Sequence, residues 1–319
     1  MSAWAADSDG IAGAPSADGG VDQSRSRYSY QMDPGQVVSD EYLVQNTGTT
    51  AQSVTVYATD AFNAGDGAFS LLDGGVSPQD VGRWVTFDNG AAQITATLEP
   101  GASQVIPFTV TTPADASPGD HAGGIVVSAL SPSGQISLDR RVAIRLYVRV
   151  KGELQAGLTI SSIASSYQAE LNPFSGTTAL TVTLNNTGNV ALGATTVSRV
   201  RGIFGIPLST TSREEIPEML PGSTRTLTMT VPGVGPWVYL NAQINLSATI
   251  DAQAINPGVL PTASRETDLI VVPWGALIIL LLAGLAWFMV RLTRRRGTQR
   301  AAAWIEYSEA EARRKAREE

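Results

Sequence analysis

The chain has 319 residues, a formal net charge of −7, 16% charged residues, 31 glycines, 17 prolines and no cysteine. That length accommodates two domains of roughly 100–150 residues with accessory segments. The missing thiols exclude disulfides, thiol proteases and cysteine-ligated metals, so each domain must be held by a buried apolar core. Residues 291–319 carry nine basic and five acidic side chains, leaving 13 basic against 24 acidic in residues 1–290. An acidic body argues against nucleic acid as a partner.

Residues 1–26 are rich in Ala, Gly, Ser and Asp without periodicity and read as a flexible leader. Within them, Ala3-Trp4-Ala5 resembles the end of a signal peptide, so an export signal is expected to have been removed or the start placed too late. From residue 27 the chain reads as short strands bounded by Gly, Pro, Asn or Asp: Glu41–Gln45, Ser53–Thr59, Ala92–Leu98, Ser103–Thr111, Gly124–Leu130 and Arg141–Lys151. In the last of these, Val142, Ile144, Leu146, Val148 and Val150 share one face. Arg141, Arg145, Tyr147, Arg149 and Lys151 then form an outward row. A second set follows after Glu153, with alternation over 180–184, 227–231 and 242–250.

Two echoes link the sets. LVQNTGTT at 43–50 returns as TLNNTGNV at 183–190, and LEPGASQVIPFTVTTP at 98–113 returns as LPGSTRTLTMTVP at 220–232. Each Asn-Thr-Gly predicts a strand closed by a turn with positive φ, and each Pro-Gly predicts a turn before an alternating strand. Sheets with one apolar face must be covered by another sheet, so the expected fold is all-β: two tandem immunoglobulin-like β-sandwiches. They are assigned to 27–150 and 151–250, close enough to touch. A juxtamembrane linker is read at 251–268, and residues 269–290, uncharged, are read as a transmembrane helix. Arg291, Arg294, Arg295, Arg296 and Arg300 follow it, so 291–319 is expected to be a cytoplasmic tail, with helical (i, i+4) pairs Glu309–Arg313 and Glu311–Lys315.

Residues carrying chemistry are few. His121, the one histidine, would have to serve any Ser-His-Asp triad, and no G-x-S-x-G elbow accompanies it; a turn before a strand is the expected setting. Asp60, Asn63, Asp66 and Asp73 form an oxygen-rich loop, but their spacing is not that of an EF-hand and equally suits a hairpin. The basic row on Arg141, Arg145, Tyr147 and Arg149 could grip carboxylates or phosphates of an anionic polymer, or could pair with neighbouring acids and protect an edge strand. No catalytic residues, cofactor or metal are assigned. The candidate ligand contacts are Asn63, Asp66, Asp73, His121, Arg141, Arg145, Tyr147 and Arg149.

Residues 28–130, through YQMDPGQVVSDEYLVQNTG, VYATDAFNAGDGAF and LEPGASQVIPFTVTTPADASPGDHAGGIVV, resemble the peptidoglycan-binding domain of the WxL-interacting proteins of Gram-positive bacteria. The resemblance implies a second β domain that binds WxL-type surface proteins, one span and a basic cytoplasmic end. Function is therefore expected to be non-enzymatic: a membrane-anchored surface protein holding peptidoglycan or another cell-wall glycan together with a surface protein. The alternatives are a cell-wall hydrolase and a surface assembly chaperone that adds a strand to its client.

Overall fold

A computed structural model describes residues 10–133, 136–170, 172, 174–251, 254 and 256–315. The Ala3-Trp4-Ala5 motif lies outside them. The first half contains β1 (Ile11–Ala17), β2 (Gly20–Val21), β3 (Tyr28–Met32), β4 (Val37–Asn46), β5 (Gln52–Asn63), β6 (Phe69–Leu71), the short helix α1 (Val81–Trp84), β7 (Val85–Phe87), β8 (Gln93–Leu98), β9 (Ser103–Thr111), β10 (Gly119–Ser133) and β11 (Ile136–Val150). The second contains β12 (Leu158–Ala169), β13 (Gly176–Asn186), β14 (Leu192–Arg201), β15 (Ser212–Met219), β16 (Thr224–Pro232), β17 (Val238–Thr249) and β18 (Thr262–Val271), followed by helix α2 (Trp274–Lys315).

Each half places two sheets around its own core. In the first, the order β2-β1-β4-β9-β7 faces β3-β11-β10-β5-β6, with β8 also paired to β5. Tyr28, Tyr42, Phe108, Ile125, Leu146 and Val148, drawn from both sheets, are fully or almost fully buried between them. Burying each such side chain contributes about 1.5–3 kcal/mol. The Tyr28 ring meets Phe108 edge-on at 5.1 Å, and its hydroxyl donates to the Glu41 carbonyl at 2.6 Å, satisfying the polar tip of a buried aromatic. In the second, β12-β13-β16 faces β15-β14-β17-β18 around Leu180, Leu184, Leu192, Met219, Ile244 and Leu246.

The two halves share one strand plan: β1-β4-β9 corresponds to β12-β13-β16, and β11-β10-β5-β8 to β18-β17-β14-β15. This plan accounts for the sequence echoes. Asn46, fully buried, donates from Nδ2 to the carbonyls of Thr50 and Leu98, both at 2.8 Å, and accepts from Gly48 N–H at 2.9 Å. Asn186 donates to Val190 at 2.8 Å and Met219 at 2.9 Å, and accepts from Gly188 N–H at 3.1 Å. Backbone bonds repeat as well: Gly101 N–H to the Asn46 carbonyl and Gly222 N–H to the Asn186 carbonyl, both at 3.0 Å. Each asparagine is a plug tying the Asn-Thr-Gly turn to the Pro-Gly turn. The positive φ expected in the Asn-Thr-Gly turns is not found at Asn46, Gly48, Asn186 or Gly188; it occurs instead at Gly101 and Gly222 of the Pro-Gly turns. In the Asn-Thr-Gly turns the side chain, by hydrogen-bonding the backbone two residues on, closes the turn instead.

Three boundaries differ from expectation. The leader is a strand from Ile11, paired antiparallel with β4 from Ile11↔Asn46 to Pro15↔Tyr42. The linker after residue 250 becomes β18 at Thr262, paired with β17 as far as Val238↔Val271, and Val271 is buried in the second core. Leu269–Val271 therefore belong to the sheet, and the apolar helix starts at Trp274, immediately after Pro273. Residues Trp274–Arg296 are long and apolar enough to cross a membrane, and none of their most apolar stretch is buried against the protein. The tail continues the same helix without a break, 42 residues in all, and the Glu309–Arg313 pair stands at 3.7 Å. The Glu311–Lys315 pair involves side chains outside the described set.

Candidate functional site

The outer face of the β5-β10-β11 sheet forms the floor of a groove. Its wall is the loop from Gly74 to Gln79 and helix α1, which are held by one carboxylate: Asp60 accepts from the N–H groups of Gln79 (2.6 Å), Asp80 (2.8 Å) and Gly82 (2.7 Å). Two glycines permit this approach. A Cβ on Gly82 would lie 2.8 Å from the backbone of Thr59, and one on Gly123 of β10 would lie 2.6 Å from Val81. Gly124, the next residue of β10, is likewise approached closely, a Cβ there lying 2.7 Å from Leu71.

The groove encloses about 900 Å³ and is lined by Thr55, Tyr57, Gln79, Arg83, Arg141 and Asp139, among others. Arg141 Nε donates to Asp139 at 2.7 Å and its Nη1 stands 3.7 Å from Asp73. Burial opposes ionisation of Asp139, but the Ser128 hydroxyl at 2.6 Å and Arg141 outweigh it and hold the carboxyl below its ordinary range. Arg83 is exposed, and no ion-pair partner is found for it among the described residues. The groove thus offers a free guanidinium, a second one braced by carboxylates, hydroxyls and amides: donors and acceptors suited to a polyhydroxylated, carboxylate-bearing chain.

A second groove of about 520 Å³ lies across α1, lined by Trp84, Asp115 and His121 and sharing Gln79, Asp80 and Arg83 with the first lining or its wall. His121 falls inside β10 and not in the turn before it. Its Nδ1 lies 2.7 Å from Asp80 Oδ1, its Nε2 2.9 Å from the Ser117 carbonyl, and its ring centroid 4.6 Å from that of Trp84. Burial pushes its pKa down, but the Asp80 hydrogen bond, the Ser117 carbonyl and nearby carboxylate charge push harder, so the net shift is upward. Both ring nitrogens face acceptors, and both can donate to them only in the protonated form.

Three further predicted residues, Asn63, Tyr147 and Arg149, belong to the joint between the halves. The Arg149 guanidinium, 5% exposed, grips the Asp120 carboxylate through Nε at 2.5 Å and Nη2 at 2.7 Å. Asp120 Oδ2 also accepts from Ala191 N–H at 2.8 Å, and Asp120 N–H donates to the Asn189 carbonyl at 2.8 Å. Tyr147 packs with Ala122, Ala191 and Leu220, and its hydroxyl donates to Glu218 at 2.5 Å. Burial raises the pKa of both groups of that pair. Asn63 closes the bracket, donating to the Glu218 carbonyl at 2.9 Å and accepting from Leu220 N–H at 2.7 Å. The outward row on β11 is therefore not a free surface: Tyr147 and Arg149 are covered by the second half, Arg145 lies over the Phe69 ring at 4.4 Å, and Lys151 pairs with Asp33 at 2.8 Å.

Asp66 accepts from Ala68 N–H at 2.9 Å, an ordinary hairpin bond, and Asp73 sits at the groove margin near Arg141. Among the described residues no group of three or more His, Asp or Glu is placed to hold a metal ion. Of the predicted residues, the structure brings Asp73 and Arg141 to the groove, His121 to its neighbour, and Asn63, Tyr147 and Arg149 to the joint. Arg83, Tyr57, Gln79 and Trp84 were missed. The available signal was Arg-Trp beside a Gly/Pro-rich loop, GGVSPQDVGRW.

No protein-family model matches the chain, and no curated protein matches it. Among solved structures, the class 5 fimbriae chaperone CfaA is 12% identical with a TM-score of 0.35, covering 77% of this chain and 96% of its own. The YadV chaperone is 11% identical with a TM-score of 0.35, covering 82% and 99%. The CupB2 chaperone of Pseudomonas aeruginosa is 13% identical with a TM-score of 0.30, covering 77% and 98%. Neither partner nor activity follows from likenesses of this strength.

Proposed function

We propose that the protein is a non-enzymatic, single-pass envelope protein whose β modules, of immunoglobulin-like type, stand outside the membrane and whose first module holds cell-wall glycan. The observation that carries the reading is the 900 Å³ groove with Arg83 free and Arg141 braced beside Tyr57 and Gln79. Peptidoglycan combines sugar hydroxyls with peptide carboxylates, and a guanidinium recognises a carboxylate by two parallel hydrogen bonds. The arginines after α2's apolar stretch support a cytoplasmic tail by the positive-inside bias. In this reading the second module takes the surface-protein partner that the WxL-interacting resemblance implies.

The test is cosedimentation of the detergent-solubilised full chain with purified sacculi. Binding is expected for the wild type, with a loss of at least about tenfold in affinity for Arg83→Ala combined with Arg141→Ala, the energy of one charged hydrogen bond. Retained binding in the double variant removes the groove from the account. Release of soluble fragments from the sacculi would favour a hydrolase.

A further inference from the structure

The end of the second module from which α2 leaves is capped by exposed apolar side chains. Register places the strand ends together: Val238 pairs with Val271, and Arg201 with Asn241 three residues further up the same strand. The connection from β14 to β15 runs past Arg201 and carries Ile203, Phe204 and Ile206, all exposed. Its short helical turn, Ile203–Gly205, contacts β17. The hairpin loop after β12 brings Phe174 to the same end, since a Cβ on Gly235 would lie 2.8 Å from the Phe174 carbonyl and 2.7 Å from the Trp237 indole nitrogen.

Two of these positions hold backbone that L side chains rarely adopt. Phe204 has φ 59° and is 93% exposed, and Val238 has φ 60° directly after Trp237, which is 57% exposed. Such conformations are strained for aromatic and β-branched side chains. A strained turn that aims an aromatic ring into water lacks a folded-state reason; one that aims it into an apolar layer has one. The covering layer is given by continuity. β18 ends at Val271, only Val272 and Pro273 intervene, and Trp274 opens the helix suited to cross a membrane. The three Cα–Cα steps from Val271 to Trp274 span at most about 11 Å, so this end of the module cannot stand clear of the bilayer surface.

We infer that this end of the second module is a lipid-docking surface, with Phe204 and Trp237 inserted in the interfacial layer of the leaflet from which α2 emerges. Aromatic rings favour that layer, where an apolar body and a polar edge are both accommodated. Such seating orients the two modules relative to the membrane plane and makes the first module's height above the bilayer a property of the fold.

The inference rests on α2 spanning the membrane, and the test separates the two. The chain has no cysteine, so single nitroxide labels can be placed by Phe204→Cys, Trp237→Cys, Val21→Cys on the first module and Leu282→Cys within α2. The full chain is reconstituted in nanodiscs of phosphatidylcholine and phosphatidylglycerol. Collisions with oxygen, which concentrates in lipid, are compared with collisions with a water-soluble nickel chelate. The expected result is dominance of oxygen at 204, 237 and 282, and of the chelate at 21. Chelate dominance at 204 and 237 with oxygen dominance at 282 overturns the docking surface alone. Chelate dominance at 282 overturns the spanning helix. Dipolar broadening between labels at 204 in a chelate-protected site identifies a second copy as the cover and likewise overturns the lipid reading.

Discussion

Replacing Asn46 by Ala removes two donors and one acceptor from a site with no solvent access. The Thr50 and Leu98 carbonyls and the Gly48 N–H lose their side-chain partner, and the Gln52 amide, 3.2 Å from Asn46 Oδ1, loses one as well. An unsatisfied buried group costs about 1–3 kcal/mol. Thr50 lies on the exposed side of its turn and regains water, and the Gln52 amide keeps the Gly10 carbonyl at 3.3 Å, so the Leu98 carbonyl and the Gly48 N–H dominate, giving roughly 2–6 kcal/mol in local stability. The same bonds surround Asn186, so Asn186→Ala should cost a similar amount in the other module. Hydrogen exchange read by mass spectrometry on the detergent-solubilised chain resolves the two modules by peptide. Asn46→Ala should accelerate exchange in β4 and β9, and Asn186→Ala in β13 and β16, each by roughly 30- to 20,000-fold, which is that energy range at tenfold per 1.4 kcal/mol. An acceleration below about threefold at either site refutes the plug as a stabilising device.

Arg149→Ala leaves Asp120 buried with only its backbone partners, and a broken buried ion pair costs about 3–5 kcal/mol; small-angle scattering should show the modules moving apart while peptides of each core keep their exchange protection. Gly119→Ala, at φ +127°, would drive a Cβ to the Asn189 carbonyl of the second module, and should loosen the same joint without touching either core. The imidazole of His121, the one histidine of the chain, should titrate by NMR with a midpoint above its ordinary value of about 6.5. Because its folded pKa is the higher one, the contact of α1 with β10 is strongest below the unfolded pKa and weakens as pH rises through the folded one. Asp80→Asn should bring the midpoint down; a wild-type midpoint at or below 6.5 contradicts the paired geometry.

Strands that bury one apolar face were readable in the chain: β9 spans Ser103–Thr111 as its alternation predicts, and Leu146, Val148 and Val150 all point inward. Strands whose inward face is small or polar were not. β1, IAGAPSA, has one large side chain, Ile11, and otherwise only Ala, Gly, Pro and Ser without alternation, and passed for a leader. β14 buries Thr196 and Ser198 between Ala194 and Val200, which mutes its period. The edge strands β15 and β18 carry Glu and Arg where a solvated edge permits them, and the last apolar residues of β18 run into the helix without a break in hydropathy. At the candidate site, alternation correctly turned Tyr147 and Arg149 away from the first core but could not show that the second module lies over them. Contacts between modules leave no period in a sequence. The duplicated Asn-Thr-Gly was visible, whereas its pairing with the Pro-Gly echo through a buried amide required the fold.

Binding of soluble peptidoglycan fragments to the full chain, mapped by hydrogen exchange, tests the proposed function most directly. The prediction is protection confined to the groove, in residues 74–83, 92–93 and 139–141, abolished when Arg83 and Arg141 are both replaced by Ala. Absence of protection there at saturating fragment, or protection restricted to the second module, contradicts it.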